Sequence, residues 1–233
     1  HSRDFIKFYD EYADSAPDEL ACDLIVHRSA DGDAVDSVFA CFCGPEEAAA
    51  RALDRLRSRP DMLRDGLAKR SYVESQRMLD ASLPWGVRNY WKTNGMGPLT
   101  PAAIEAWDEV FLSAKAPMSQ VQVEHLHGAL HRTPLGANAV SFAGAKYNLL
   151  VNAKWTDPAR DAENIEWARQ GFARMQPFTS GAAYPNYLVA EPQERVRQAY
   201  GEEVYSRLVA LKDRYDPTNF FRLNQNIAPS ALI

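Results

Sequence analysis

The runs ACDLIV at 21–26 and VDSVFACFC at 35–43, with ADGD at 30–33 between them, decide the architecture. Both runs are rich in β-branched, aromatic and small apolar residues, and the Asp-Gly step between them is a turn signal, so together they predict an antiparallel hairpin. Upstream, RDFIKFYDEYA (3–13) places Phe5, Ile6, Phe8 and Tyr9 on one side of an amphipathic helix that Pro17 and Asp18 break. Downstream, Gly44-Pro45-Glu46-Glu47 opens a second helix, because proline suits a first turn and the acids complement its positive end. It ends by Pro60. A short helix near 72–81 leads into LPWGVRNYWKTNGMGP (83–98), where Gly95-Met96-Gly97 reads as a turn. Thr100-Pro101 caps a helix carrying Ile104, Trp107, Phe111 and Leu112 at helical spacing. MSQVQVEHL (118–126) alternates like a half-solvated strand, SFAGAKYNLLVNAKW (141–155) reads as extended, and Asp157-Pro158 starts a long helix through Met175. Hairpins without regular strand–helix alternation predict an α+β fold, an antiparallel sheet covered on one face by helices, with a helical tail of different texture from about residue 177.

The chain has 233 residues, 46% hydrophobic and 24% charged, enough apolar content to bury a core and to exclude wholesale disorder. A net charge of −5 argues against a nucleic acid or an anionic membrane as partner. No apolar run approaches the roughly 20 residues that span a bilayer, and no signal segment opens the chain. Starting at His1 rather than Met suggests a processed or trimmed product. Cys22, Cys41 and Cys43 read as small core residues, Cys41 and Cys43 sharing a strand face where they bridge poorly, which suggests a reducing, cytoplasmic setting.

Few motifs carry chemistry. There is no G-x-G-x-x-G, no phosphate-cradling G-x-x-x-x-G-K-[ST] and no G-x-S-x-G nucleophile elbow. EHLHGALH places His125, His127 and His131 close together, and with Glu124 they could hold zinc, but the spacing matches no metal motif and no metal is expected. Tyr184-Pro185-Asn186-Tyr187 sets two phenols and an amide within four residues. A phenol is a poor base unless a neighbour tunes it. Two close phenols could share a proton, one held as phenolate, and accept a proton from a substrate hydroxyl; equally, such tyrosines pack as amphipathic core edges.

The tail continues as Ala199-Tyr200-Gly201, then Tyr205-x-Arg207-Leu208-x-x-Leu211-Lys212-x-x-Tyr215-Asp216-Pro217-x-Asn219-x-Phe221-Arg222-x-Asn224-Gln225-Asn226-Ile227. With Tyr184 to Tyr187 this resembles the C-terminal segment of the berberine-bridge-enzyme-like FAD-linked oxidases, of the vanillyl-alcohol-oxidase superfamily type. Arg88, Tyr90, Trp91, Lys92 and the run Tyr147 to Trp155 resemble the substrate domain of the same family. The resemblance implies a substrate-binding domain at 1–176 and a C-terminal segment at 177–233 that packs on an FAD-binding domain of the same polypeptide. The chain lacks that domain, so FAD binding and activity are not expected of it alone, and its uncovered face favours a homodimer.

The implied reaction oxidises an alcohol or amine carbon of a small-molecule substrate by hydride transfer to flavin; the alternative is a free-standing binding module without redox activity. Tyr187 and Tyr184 are the implied catalytic residues. Asn186, Asn224 and Asn226 would lie toward the cofactor, though the Asn224–Asn226 run serves equally as a structural strap. Asn148, Leu150, Asn152 and His127 would line the substrate pocket. Relatives often carry Glu or Gln where Leu150 stands, so carboxylate assistance is not expected from that position, and His127 stands where they often have glycine.

Overall fold

The computed structural model describes residues 1–29, 31–80, 84–134, 136–139, 144–189 and 191–232. Elements run α1 (Arg3–Asp14), β1 (Leu20–Arg28), β2 (Ala34–Phe42), α2 (Glu46–Arg57), α3 (Tyr72–Arg77), β3 (Arg88–Met96), α4 (Pro101–Leu112), β4 (Gln120–His125), α5 (Ala129–Arg132), β5 (Tyr147–Trp155), α6 (Asp161–Met175), α7 (Gln193–Tyr200) and α8 (Glu202–Tyr215). The five strands form one antiparallel sheet in the order β2-β1-β4-β5-β3.

Local chemistry accounts for the helix starts. Ser2 and Thr100 each accept a backbone N–H from the first turn of α1 and α4, and Ser71 forms a capping box with Glu74 ahead of α3. The hairpin β1–β2 pairs Leu20 with Phe42 through to Arg28 with Ala34. The fourth residue of its turn closes back, the Ser29 N–H bonding the Asp33 carbonyl; Ala30 lies outside the described residues.

Strand alternation sorts the sheet into two faces. Leu20, Cys22, Leu24 and Val26 of β1, Val121 and Val123 of β4, and Tyr147, Leu149, Val151 and Ala153 of β5 meet α1, α4 and α6, with Trp107, Phe111, Tyr9 and Ile6 fully buried among them. Each Val, Leu, Ile or Phe among them contributes about 1.5–3 kcal/mol of burial free energy. Buried phenols find acceptors, Tyr9 donating to the Cys22 carbonyl at 2.8 Å and Tyr147 to Asp10 at 2.8 Å. Gly171 lets α6 approach closely, because a Cβ there would stand 2.7 Å from Val110 and 3.1 Å from Val151. A smaller apolar cluster, Ala183, Leu188, Val196 and Ala199, holds the tail together.

Four expectations need correction. Residues 88–96 form strand β3, placing Gly95 and Met96 in the sheet rather than in a turn. Asn89, Lys92, Asn94 and Gly95 depress strand propensity there, and the nine-residue ladder with β5 overrides it. Cys41 and Cys43 are exposed, because β2 is an edge strand; only Cys22 is buried. Leu112 is exposed as well. The strand expected from 141 begins at Tyr147, residues 141–143 lying outside the described residues. Among the described residues no helix is long and apolar enough to cross a membrane.

Candidate functional site

The face of the sheet away from the helices is polar. Register sets Asp23 of β1 opposite Glu124 of β4, Glu124 opposite Asn148 of β5, and Asn148 opposite Gly95 of β3. Along β5 on the same face, Leu150 stands between Gln122 and Thr93, and Asn152 between Gln120 and Trp91. The sequence explains most of the pattern: QVQVEH and YNLLVNAKW alternate apolar residues toward the helices with mainly polar ones toward the other side, Leu150 being the apolar exception.

The tail lays Tyr184 to Tyr187 over this floor. The Tyr187 hydroxyl donates to Glu124 Oε1 at 3.0 Å, and Asn148 Nδ2 donates to Glu124 Oε2 at 2.8 Å. Thr93 fixes the Asn148 amide by donating to its Oδ1 at 2.8 Å. Trp91 Nε1 donates to the Tyr187 carbonyl at 2.8 Å, holding the segment from below. Arg195 ties the segment to β3, its guanidinium reaching the Gly181 carbonyl at 2.7 Å, the Thr93 carbonyl at 3.2 Å and Asn94 Oδ1 at 3.1 Å. An ion pair of Lys92 with Glu191 and a bond from Gln225 to the Leu188 carbonyl complete the attachment.

Electrostatics follow from this packing. Burial, and then the Glu124 charge, push the Tyr187 phenol well above its ordinary range. Burial, and then Glu124, raise Asp23 to about 7. Tyr187 therefore stands as a neutral hydroxyl donating to the Glu124 carboxyl group. A carboxylate neighbour makes a phenolate harder to form, so of the two alternatives for this pair the shared-proton phenolate is disfavoured. The two phenols do not share a proton either. Their rings meet edge to face at 5.0 Å, and the Tyr184 hydroxyl accepts from Asn186 Nδ2 at 2.8 Å.

Of the residues singled out from sequence, Tyr184, Tyr187, Asn148, Leu150 and Asn152 share this face or border it. Asn152 Oδ1 is buried and has no hydrogen-bond partner among the described residues. Asn186 is exposed at the rim. Asn224 is exposed with a left-handed backbone, φ 59°, while Asn226 Oδ1 is buried without a partner among the described residues, on the strap that Gln225 anchors beside Tyr187.

His127 lies elsewhere. It stacks on His125 at 4.3 Å, donates to the Leu20 carbonyl at 2.8 Å, and sits toward the helix side with His125, which neighbours Cys22 and Tyr147. Burial pushes His125 down to about 4. Among the described residues no group of three or more His, Cys, Asp or Glu is placed to hold a metal ion. The sequence reading missed Glu124 and Asp23 as members of this site. A carboxylate is supplied after all, from β4 rather than from the Leu150 position on β5; the i, i+2 spacing of Gln122 and Glu124 was the available signal.

Residues 183–228 match the family model described as berberine and berberine like. Over 98% of its length the chain is 27% identical to an FAD-linked oxidoreductase of Dictyostelium discoideum, covering 49% of that protein. It is 30% identical to (R)-6-hydroxynicotine oxidase of Paenarthrobacter nicotinovorans over 85% of this chain and 45% of that one. A crystal structure of 6-hydroxy-D-nicotine oxidase from Arthrobacter nicotinovorans superposes with a TM-score of 0.80 at 26% identity, covering 95% of this chain and 50% of that one. The chain spans about half the length of the curated relatives it matches.

Proposed function

We propose that this chain, which resembles the berberine-bridge-enzyme-like FAD-linked oxidoreductases, is the substrate side of an oxidase site, with residues 1–176 as substrate domain and 177–233 as the segment that docks an FAD-binding domain. The observation that carries the reading is the Tyr187–Glu124 bond, set where the tail covers the polar sheet face and buttressed by the buried Asn148.

The residues present fit one face and rim of a flavin ring. The orphaned carboxamide oxygens of Asn152 and Asn226 want donors, and Asn186 stands exposed at the rim beside the phenols. Asn186, Asn224 and Asn226 would meet the ring, and the flavin when bound supplies the hydride acceptor. The chain's own residues handle the proton. A substrate hydroxyl or amine N–H placed against Tyr187 gives its proton to the phenol oxygen as the phenol proton passes to Glu124, so no free phenolate is needed. Asn148 keeps Glu124 aimed at Tyr187. Asn152 Oδ1 accepts a second donor of the substrate and orients its reacting carbon, while Leu150 forms an apolar floor with no proton chemistry. Tyr184 walls the edge of the site. Geometry of this kind is worth orders of magnitude in rate.

Joining the chain to the FAD-binding half of a relative tests the reading. A folded, yellow protein whose colour is bleached anaerobically by a member of a panel of alcohols, sugars and cyclic amines supports it. A folded but colourless protein, or a yellow one that no panel member bleaches, overturns it.

A further inference from the structure

Asp23 stands apart from every role assigned so far. It is the register partner of Glu124 across the β1–β4 ladder, on the same face of the sheet. Directly opposed residues hold their Cβ atoms about 5 Å apart, and like charges there repel. Among the described residues no cationic side chain is hydrogen-bonded or ion-paired to either carboxyl. Its partner on β2 is Phe39; His27, two residues along the face, is bonded to Ser37 at 2.8 Å; Tyr187 reaches Glu124 from the tail; Tyr9 and Cys22 lie on the helix side. The contact Asp23 does make is to the backbone beside Glu124, its Oδ1 accepting the His125 N–H at 3.1 Å. A strand that exposes two carboxyls to each other, one of them already committed to two donors, leaves the other as the place for a proton.

We propose that Asp23 is a positioning residue for the tyrosine–carboxylate pair, its carboxyl group sharing one proton with Glu124 and so setting how strongly Glu124 draws on the Tyr187 hydroxyl. With the proton on Asp23, Glu124 is a single anion held by Tyr187 and Asn148 and is a modest base. When Asp23 loses it, two anions face each other and the proton affinity of Glu124 rises, so the pair pulls harder on the phenol. The raised affinity of Asp23 for protons, with a midpoint of about 7, fits this arrangement. The inference rests on the proposed role of Tyr187 and Glu124, but its test needs neither flavin nor turnover.

The test is a carbon-13 NMR titration of the Asp and Glu carboxyl carbons of the 233-residue chain. Asp23 is expected to titrate near pH 7, and the Glu124 carbon to move a second time at that pH. In Asp23→Asn the second movement disappears. In Glu124→Gln the Asp23 midpoint falls by about one pH unit or more, which decides the matter even where Asp23→Asn fails to fold. An Asp23 midpoint below about pH 5, or a Glu124 curve identical in the parent chain and Asp23→Asn, overturns the proposal. Either result leaves Tyr187 untouched, whereas undiminished turnover in a joined Tyr187→Phe protein would remove the proposed function while leaving these titrations in place.

Discussion

Replacing Arg195 with methionine keeps most of the side-chain stem and removes the guanidinium that clamps the tail to β3. Three acceptors lose their donor: the carbonyls of Gly181 and Thr93 and the Asn94 carboxamide, the last on a residue only 2% exposed. Bonds from a charged donor are worth about 1.5–3 kcal/mol each, and the desolvation recovered by removing a partly buried cation offsets a good part of their sum. A net loss of about 2–4 kcal/mol is expected. The tail's own apolar cluster is small, built on Ala183, Leu188, Val196 and Ala199, so the loss falls there first. Urea denaturation should show an earlier transition, and limited proteolysis should cut within 179–192 far sooner than in the parent chain. An unchanged midpoint together with an equally protected tail would refute the clamp.

Two further outcomes follow. Asp23 binds its proton more tightly folded than unfolded, so its contribution to stability falls as pH rises from about 4 to about 7 and is constant above that. Asp23→Asn should therefore gain on the parent chain across that window, by at most about 4 kcal/mol, in urea melts at pH 4, 6 and 8; a pH-independent difference would show that Asp23 titrates normally. Gly95→Val should displace the 180–182 segment, because a Cβ there would lie 2.7 Å from Ser180 Oγ and 2.9 Å from the Ala145 methyl. Overpacking of this kind costs about 1–3 kcal/mol, measured by urea denaturation, and a neutral result would mean that the segment is loosely seated.

The local signals in the sequence located most of the fold. The Asp-Gly hairpin, the amphipathic helix α1, the capped start of α4 and the alternation in β4 and β5 all occur where their residues place them. Strand β3 was hidden because Asn89, Lys92, Asn94 and Gly95 are poor strand formers, and what holds them is a ladder to residues more than fifty positions away. The same non-locality hid the acid pair. Asp23 and Glu124 lie a hundred residues apart and meet only because β1 and β4 are neighbours in the order β2-β1-β4-β5-β3. Tyr187 was legible from the tail motif, but its electrostatic setting was not, since it depends on a carboxylate from another strand. His127 lies past the end of β4, stacked on His125, whose side chain points to the opposite face from Glu124.

The proton route through Tyr187 and Glu124 is tested most directly by stopped-flow bleaching of the flavin in the joined protein, using the panel member that reduces it fastest. Tyr187→Phe and Glu124→Gln should each slow the bleaching by about 10²–10⁴-fold, with the double variant no slower than the worse of the two. Bleaching in Tyr187→Phe at the parent rate would contradict the account.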